Sequence, residues 1–238
     1  MTILAMWSGP RNISTAMMYS FGNRPDCEAW DEPFYGFSLT TRGNDHPMRD
    51  EIDPITFEVI QHGLGTLVDE MALTIMRTAY SGVVKDALDY STAFCDRRGQ
   101  VIAQGLTIVV HLGSFPSAVE SVLTAYAGRI YPGDLFILND PYGSGGIHLP
   151  DIYVIKPVFI DGELEGFACT LAHHTDVGGL VPGSNSTNAT ELYQEGLRLP
   201  TLKLHERSVP SEAILAILAS NVRVPDKVLG DLRAQIAA

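Results

Sequence analysis

The sequence predicts an α+β fold, with antiparallel β-hairpins and helices packed on them. Three observations lead there. Two pairs of short apolar runs are each joined by a tight turn containing Gly with Asp or Arg. The stretch 54–80 instead carries apolar residues at helical spacing. Further helix-like segments follow at Ser114–Ala127 and from Ser211 onward.

The chain divides near residue 50 into pieces of unlike character, 1–50 and 51–238. The first opens with a short apolar strand, Ile3–Trp7, then the turn and helix start "SGPRNIST" (Ser8–Thr15) and a helix from Ile13 to about Phe21. Strand, Gly/Pro turn and hydroxyl-rich helix start bring backbone N–H groups toward a phosphate or sulfate. Arg11, Ser14 and Thr15 would add a charge and two hydroxyls. The polar, turn-rich stretch Thr40–Pro54 separates this piece from the next.

The second piece begins at Asp53-Pro54, where Asp can cap a helix and Pro suits its first turn. Ile60, Leu64, Leu67, Val68, Met71, Ile75 and Met76 then mark one helix from Pro54 to about Tyr80. "STAFCD" (Ser91–Asp96), a turn at Arg97–Gly99 and "VIAQG" (Val101–Gly105) make a first hairpin. Pro116 lies in the first turn of a helix over Ser114–Ala127. "DLFILND" (Asp134–Asp140) is a buried strand running into the loop "NDPYGSGGIHLPD". A second hairpin joins Ile152–Ile160 to Glu163–His174 through the turn Asp161-Gly162. Glu191 and Glu195 stand at helical spacing, which suits either a solvated helix face or a site wall. The tail forms two short helices, the second starting near Pro225.

Composition narrows the function. Of 238 residues 45% are hydrophobic, mean hydropathy is +0.09 and only 18% are charged, so a sizeable core is expected and disorder is not. A formal net charge of -12 argues against nucleic-acid and anionic-membrane partners, which require a basic face. Cys27, Cys95 and Cys169 are widely spaced and give neither a disulfide framework nor a zinc ribbon. No apolar stretch reaches the ~20 residues of a membrane helix, and the start lacks the basic region of a signal peptide. The expectation is a cytoplasmic protein.

The chemistry gathers at the hairpin ends. Asp140 closes one strand, His148 and Asp151 sit on the loop entering the next, and His173 and His174 end its partner. With the turn at Asp161-Gly162, residues near 151 lie opposite residues near 172, which brings His148 and Asp151 close to His173. Strand neighbours face opposite ways, so His173 and His174 cannot both point at one site. Imidazole nitrogens and carboxylates of this kind suit a divalent Mn, Fe or Zn ion. The same residues could instead cap loops and bond backbone amides. His111, in "VVHLGSFP", is a candidate ligand or base, or a buried, satisfied imidazole. Asp140, His111 and His174 are the candidates for catalytic work. "GSGG" lacks the Gly-Lys-Ser/Thr of a phosphate loop, so no ATP site is expected on this chain. There is no G-x-S-x-G elbow either.

"DPITFEVI", "IMRTAYS", "VVHLGSFP", "LNDPYGSGGIHLPDIYV", "AHHTDVGG", "ELYQEGLRLP" and "NVRVPDKVLGDLRAQIAA" together resemble the hydantoinase B / 5-oxoprolinase family, from Asp53 to Ala238. The acetone carboxylase alpha subunit belongs to the same superfamily. The resemblance implies a subunit, or fragment, of a cyclic-amide hydrolase acting on hydantoins or 5-oxoproline. It also implies a hetero-oligomer whose hydantoinase A-like partner carries ATP. The metal ligands it implies are His148, Asp151 and His173, matching the manganese-binding carboxylase relatives. Compared with a typical family member, the chain ends less than halfway, which would leave sheet edges and apolar faces open. A catalytically inactive interaction module derived from the family is therefore the alternative. Residues 1–45 resemble the start of a sulfotransferase-family protein on "SGPRNIST" and "DEPF" (Asp31–Phe34), which makes a sulfotransferase the third reading. The later helix and loop that hold the nucleotide in that family have no counterpart here.

Overall fold

A computed structural model describes residues 54–105 and 107–238. The strand and helix expected before residue 50 lie outside them. Residues 64–238 form one compact unit, which carries the sheet and the site.

Helix α1 (Pro54–Thr78) ends two residues before the expected Tyr80. The cause lies far away in sequence. The carboxylate of Asp231 accepts from the Tyr80 N–H at 2.7 Å and the Ser81 N–H at 3.0 Å, turning the chain out of the helix. Ser81 then caps the single turn α2 (Gly82–Lys85) through Val84 N–H.

Seven strands follow: β1 (Tyr90–Asp96), β2 (Val101–Gln104), β3 (Leu135–Leu138), β4 (Asp151–Ile160), β5 (Glu163–His173), β6 (Leu202–Glu206) and β7 (Val209–Pro210). They form one sheet in the order β2-β1-β5-β4-β3-β6-β7, each neighbour antiparallel. Both expected hairpins are present. β6 and β7 are not legible in advance, because "LKLHE" alternates weakly and Leu204 is its one fully buried residue.

Helix α3 (Phe115–Ala125) covers one face of the sheet. Its Phe115, Ala118, Val119 and Val122 pack with Phe136, Leu138, Tyr153, Ile155, Phe167 and Leu171. The other face lies under α1, α4 (Glu212–Asn221) and α5 (Pro225–Ala237). There Leu135, Ile137, Ile152 and Val154 meet Leu218 and Leu232, while Tyr90 and Ala172 meet Ala72 and Ile75. Coverage on both sides explains why β3 reads as an unbroken apolar run: Phe136 and Leu138 serve one face, Leu135 and Ile137 the other. Gln235 pins α5 to the sheet, donating to the Ile152 carbonyl at 2.9 Å and to Thr170 Oγ1 at 3.3 Å.

Beyond β3 the loops are gathered by Asn139, which is fully buried. Its Nδ2 donates to the carbonyls of Leu149 (2.7 Å) and Leu197 (2.9 Å), and its Oδ1 accepts from Leu199 N–H (2.7 Å). One side chain thus ties the 139–151 loop to the segment entering β6. Asn139→Ala would leave two carbonyls and one N–H buried and unpaired. Losing such partners costs about 1–3 kcal/mol each. We expect a loss of about 3 kcal/mol in urea unfolding, with the slope of the transition unchanged.

Candidate metal centre

The register of β4 against β5 sets Asp151 directly opposite His173. The flanking backbone continues the pairing: His174 N–H donates to the Pro150 carbonyl at 2.8 Å, and His173 N–H to the Asp89 carbonyl at 3.0 Å. A turn closed by Asp151 N–H on the His148 carbonyl brings the His148 ring over the same spot. The His148 and His173 rings lie 5.0 Å apart, centre to centre. One ligand atom from each of His148, Asp151 and His173 falls within 4.8 Å of the other two.

The hydrogen bonding within this group is incomplete. His148 Nε2 lies 3.1 Å from Asp151 Oδ1, an ion-pair contact, and Oδ1 accepts no other hydrogen bond. His173 Nδ1 is buried and unpartnered. Acceptors left bare inside a protein are costly. A carboxylate oxygen and a ring nitrogen of this kind, beside the second imidazole of His148, fit the donor set of a divalent cation. Asp151 raises the His148 pKa, the Asp89 and Glu195 charges add to that effect, and burial opposes it.

The other expected residues fall around this group. His111, on the 3-10 turn Val109–Ser114, is buried, with Nε2 3.7 Å from Asp89 Oδ1 and 3.9 Å from Asp151 Oδ2. Burial lowers its pKa and outweighs the two carboxylates. His174 points the other way, as strand alternation requires: it is fully buried and its Nε2 meets Gln235 Oε1 at 2.9 Å. Burial lowers its pKa too. The Asp140 carboxylate meets Arg198 Nε at 2.8 Å and accepts from Tyr142 N–H. Burial would raise its pKa, but these donors and the Gly143 amide hold it below the usual carboxylate range. Asp140 thereby shapes its loop, and a Cβ at Gly143 would come within 2.5 Å of its Oδ2.

Glu191 and Glu195 do not share a helix. Their segment is irregular apart from the turn Leu192–Gln194, which leaves Glu191 exposed and Glu195 within electrostatic reach of His148. Gly179 (φ +82°) makes this placement possible, since a Cβ there would meet the Glu195 backbone at 2.6 Å. The Asp176 of "HHTD" has a different task from Asp151. It binds the Arg223 amide at 2.7 Å and guanidinium at 2.8 Å, and receives the amides of Gly178 and Gly183. Asp89 and Ser91 escaped the sequence reading. They reach the site through the β1–β5 pairing, for which no local pattern exists.

The model of the hydantoinase B/oxoprolinase family matches residues 53–238. The chain belongs to the hydantoinase B/oxoprolinase family. A sulfotransferase domain model matches residues 1–58, of which the structure describes only the last few. Among family relatives, the caprolactamase subunit beta of Pseudomonas jessenii is 39% identical over 79% of this chain and 32% of its own length. The 5-oxoprolinase of Saccharomyces cerevisiae is 34% identical over 79% of this chain and 15% of its own. The chain therefore spans about a third or less of these relatives. The crystal structure of the ATP-dependent caprolactamase from P. jessenii matches with a TM-score of 0.74 and 38% identity, over 79% of this chain and 32% of that one. The nucleotide-free acetone carboxylase shares the fold, with a TM-score of 0.74 at 23% identity over 86% of this chain and 27% of that one.

Asp176 gives the site region a pH signature. Burial would raise its pKa, but the Arg223 amide and guanidinium, with the two glycine amides, hold it low. A depressed folded pKa stabilises fully above the unfolded value of about 3.9 and fades as the pH falls through the folded one. We expect wild-type stability to decline below about pH 4. Asp176→Asn should cost about 2 kcal/mol at neutral pH and flatten that acid limb, as read by denaturant titrations across pH.

Proposed function

We propose that this chain is the part of an ATP-dependent cyclic-amide hydrolase that holds a divalent cation, with His148, Asp151 and His173 as the ligands. The observation that carries the reading is the convergence of one ligand atom each from His148, Asp151 and His173 within 4.8 Å, with His173 Nδ1 buried and without a hydrogen bond, inside the family-matched segment. The relatives' names supply the substrate class, caprolactam and 5-oxoproline being cyclic amides, and hydantoins extend it. ATP would be bound by a hydantoinase A-like partner subunit in a hetero-oligomer, consistent with the "subunit beta" of the caprolactamase. Such an assembly works in the cytoplasm, where ATP is supplied. Among the described residues no helix is long and apolar enough to cross a membrane. We assign residues 1–50 no part in this chemistry and treat them as a separate sulfotransferase-like piece.

A bound Mn, Fe or Zn ion would polarise a ring carbonyl or acidify a water molecule. The chain's own residues do the rest. His148 and His173 are positioned by their turn and strand, and Asp151 is held by β4. His111 Nε2, on the Oδ2 side of Asp151, is placed to take or orient a proton. Asp140 keeps the glycine loop folded over this end of the sheet, and His174 locks the strand end to α5.

Elemental analysis of the purified chain beside His148→Ala and His173→Ala tests the reading. We expect near-stoichiometric metal in the wild type. Each variant should lose at least about a hundredfold in affinity, more than supporting groups usually carry. A folded wild-type chain that takes up no divalent metal would overturn the assignment and favour an inactive interaction module. Where metal is held, turnover of lactams with a hydantoinase A-like partner and ATP is the next assay.

A further inference from the structure

A second feature lies at the end of the sheet opposite the candidate metal centre. Leu135, where β3 begins, pairs with His205 near the end of β6, whereas the Asn139 loop leaves β3 at its other end. Here an open cavity of about 540 Å³ has Leu202 and Ile214 as apolar lining and Arg129, Lys203 and Arg207 as its cations. In a chain of net charge -12, three cations on one cavity reverse the sign locally.

Tyrosine rings and a buried carboxylate hold these cations in place. Arg129 lies 5.3 Å from the Tyr126 ring centre and donates to the Ala125 carbonyl at 2.7 Å. Lys203 lies 5.5 Å from the Tyr126 ring and 5.0 Å from that of Tyr131. Its ammonium meets buried Asp134 at 2.8 Å and Glu206 at 3.4 Å. Arg207 sits 4.2 Å from the Tyr131 ring centre, and its amide donates to Asp134 Oδ1 at 2.9 Å. Both carboxylates are thus engaged by Lys203, and among the described residues neither guanidinium meets a carboxylate. The backbone adds a further sign. Glu206 pairs with Val209, so Arg207 and Ser208 form a two-residue turn, with φ of +50° and +70°. Such a turn favours Asn-Gly, because side chains on left-handed backbone are strained. Arg207 therefore occupies a position whose backbone glycine would fit better.

We propose that this cavity binds the phosphate group of a small phosphorylated molecule, with Arg129 and Arg207 as its direct contacts and Lys203 adding charge. A tetrahedral dianion offers oxygens in several directions, so it can meet guanidiniums arriving from the loop after α3 and from the β6–β7 turn. A planar carboxylate is satisfied by a single guanidinium fork. Phosphate alone fills a small part of the cavity, which leaves Leu202 and Ile214 to line the rest of the ligand. The site shares no residue with the candidate metal centre and is independent of the cyclic-amide reading.

Nitrogen–proton NMR of the full chain with labelled arginine follows each guanidinium as inorganic phosphate is added at constant ionic strength. EDTA in the sample keeps the metal centre out of the measurement. We expect saturable shifts at Arg129 and Arg207, none at Arg98 in the β1–β2 turn, and weaker binding of acetate. Arg207→Gly should weaken phosphate binding at least about tenfold, as loss of a hydrogen bond to a charged group does. Its melting temperature should hold or rise, because glycine relieves the turn. Arg129→Gln, which leaves the turn untouched, should weaken binding as well. Shifts that never saturate, equal movement of Arg98, or unchanged affinity in either variant overturn the site. Acetate binding as tightly as phosphate overturns the phosphate assignment.

Discussion

The pairing of Asp151 with His173 across β4 and β5 is the constraint on which the candidate centre depends. A slip of one residue would turn His173 to the opposite face and bring His174 forward, because side chains alternate along a strand. Three things prevent the slip. Ile152, Ile155, Leu171 and Ala172 are each committed to one of two covered faces. The His173 amide is held by Asp89 and the His174 amide by Pro150. Gln235 bonds to Ile152, Thr170 and His174 together, so α5 checks the register from outside the sheet.

Much of this was legible in the sequence, and the reason is local. A hairpin closed by Asp161-Gly162 fixes which residues oppose one another within about two positions. That sufficed to bring His148, Asp151 and His173 together. Helix starts at Pro54, Pro116 and Pro225 were equally readable, since proline marks a first turn.

What escaped depends on long-range contacts. Asp89 and Ser91 reach the site because β1 lies against β5, a neighbour some eighty residues on, and no short pattern announces that. The end of α1 is set by Asp231, over a hundred and fifty residues away. Glu191 and Glu195 show the converse failure. Their spacing is helical, but Gly178, Gly179 and Gly196 draw two loops into backbone contact, and the segment has no room to wind. Asp176 follows His173 by three residues as Asp151 follows His148, but it serves Arg223 and loop amides.

The two oxygens of Asp151 look in different directions, Oδ1 toward His148 and Oδ2 toward His111. A carboxylate shared in this way makes its two sides thermodynamically linked. Charge drawn to one oxygen is withdrawn from the other, so a cation on the first side weakens the second as an acceptor, and a donor on the second loosens the first. Linkage of this kind is reciprocal by necessity. The affinity of either occupant is therefore a property of both, and a constant measured for one has meaning only at a stated concentration of the other.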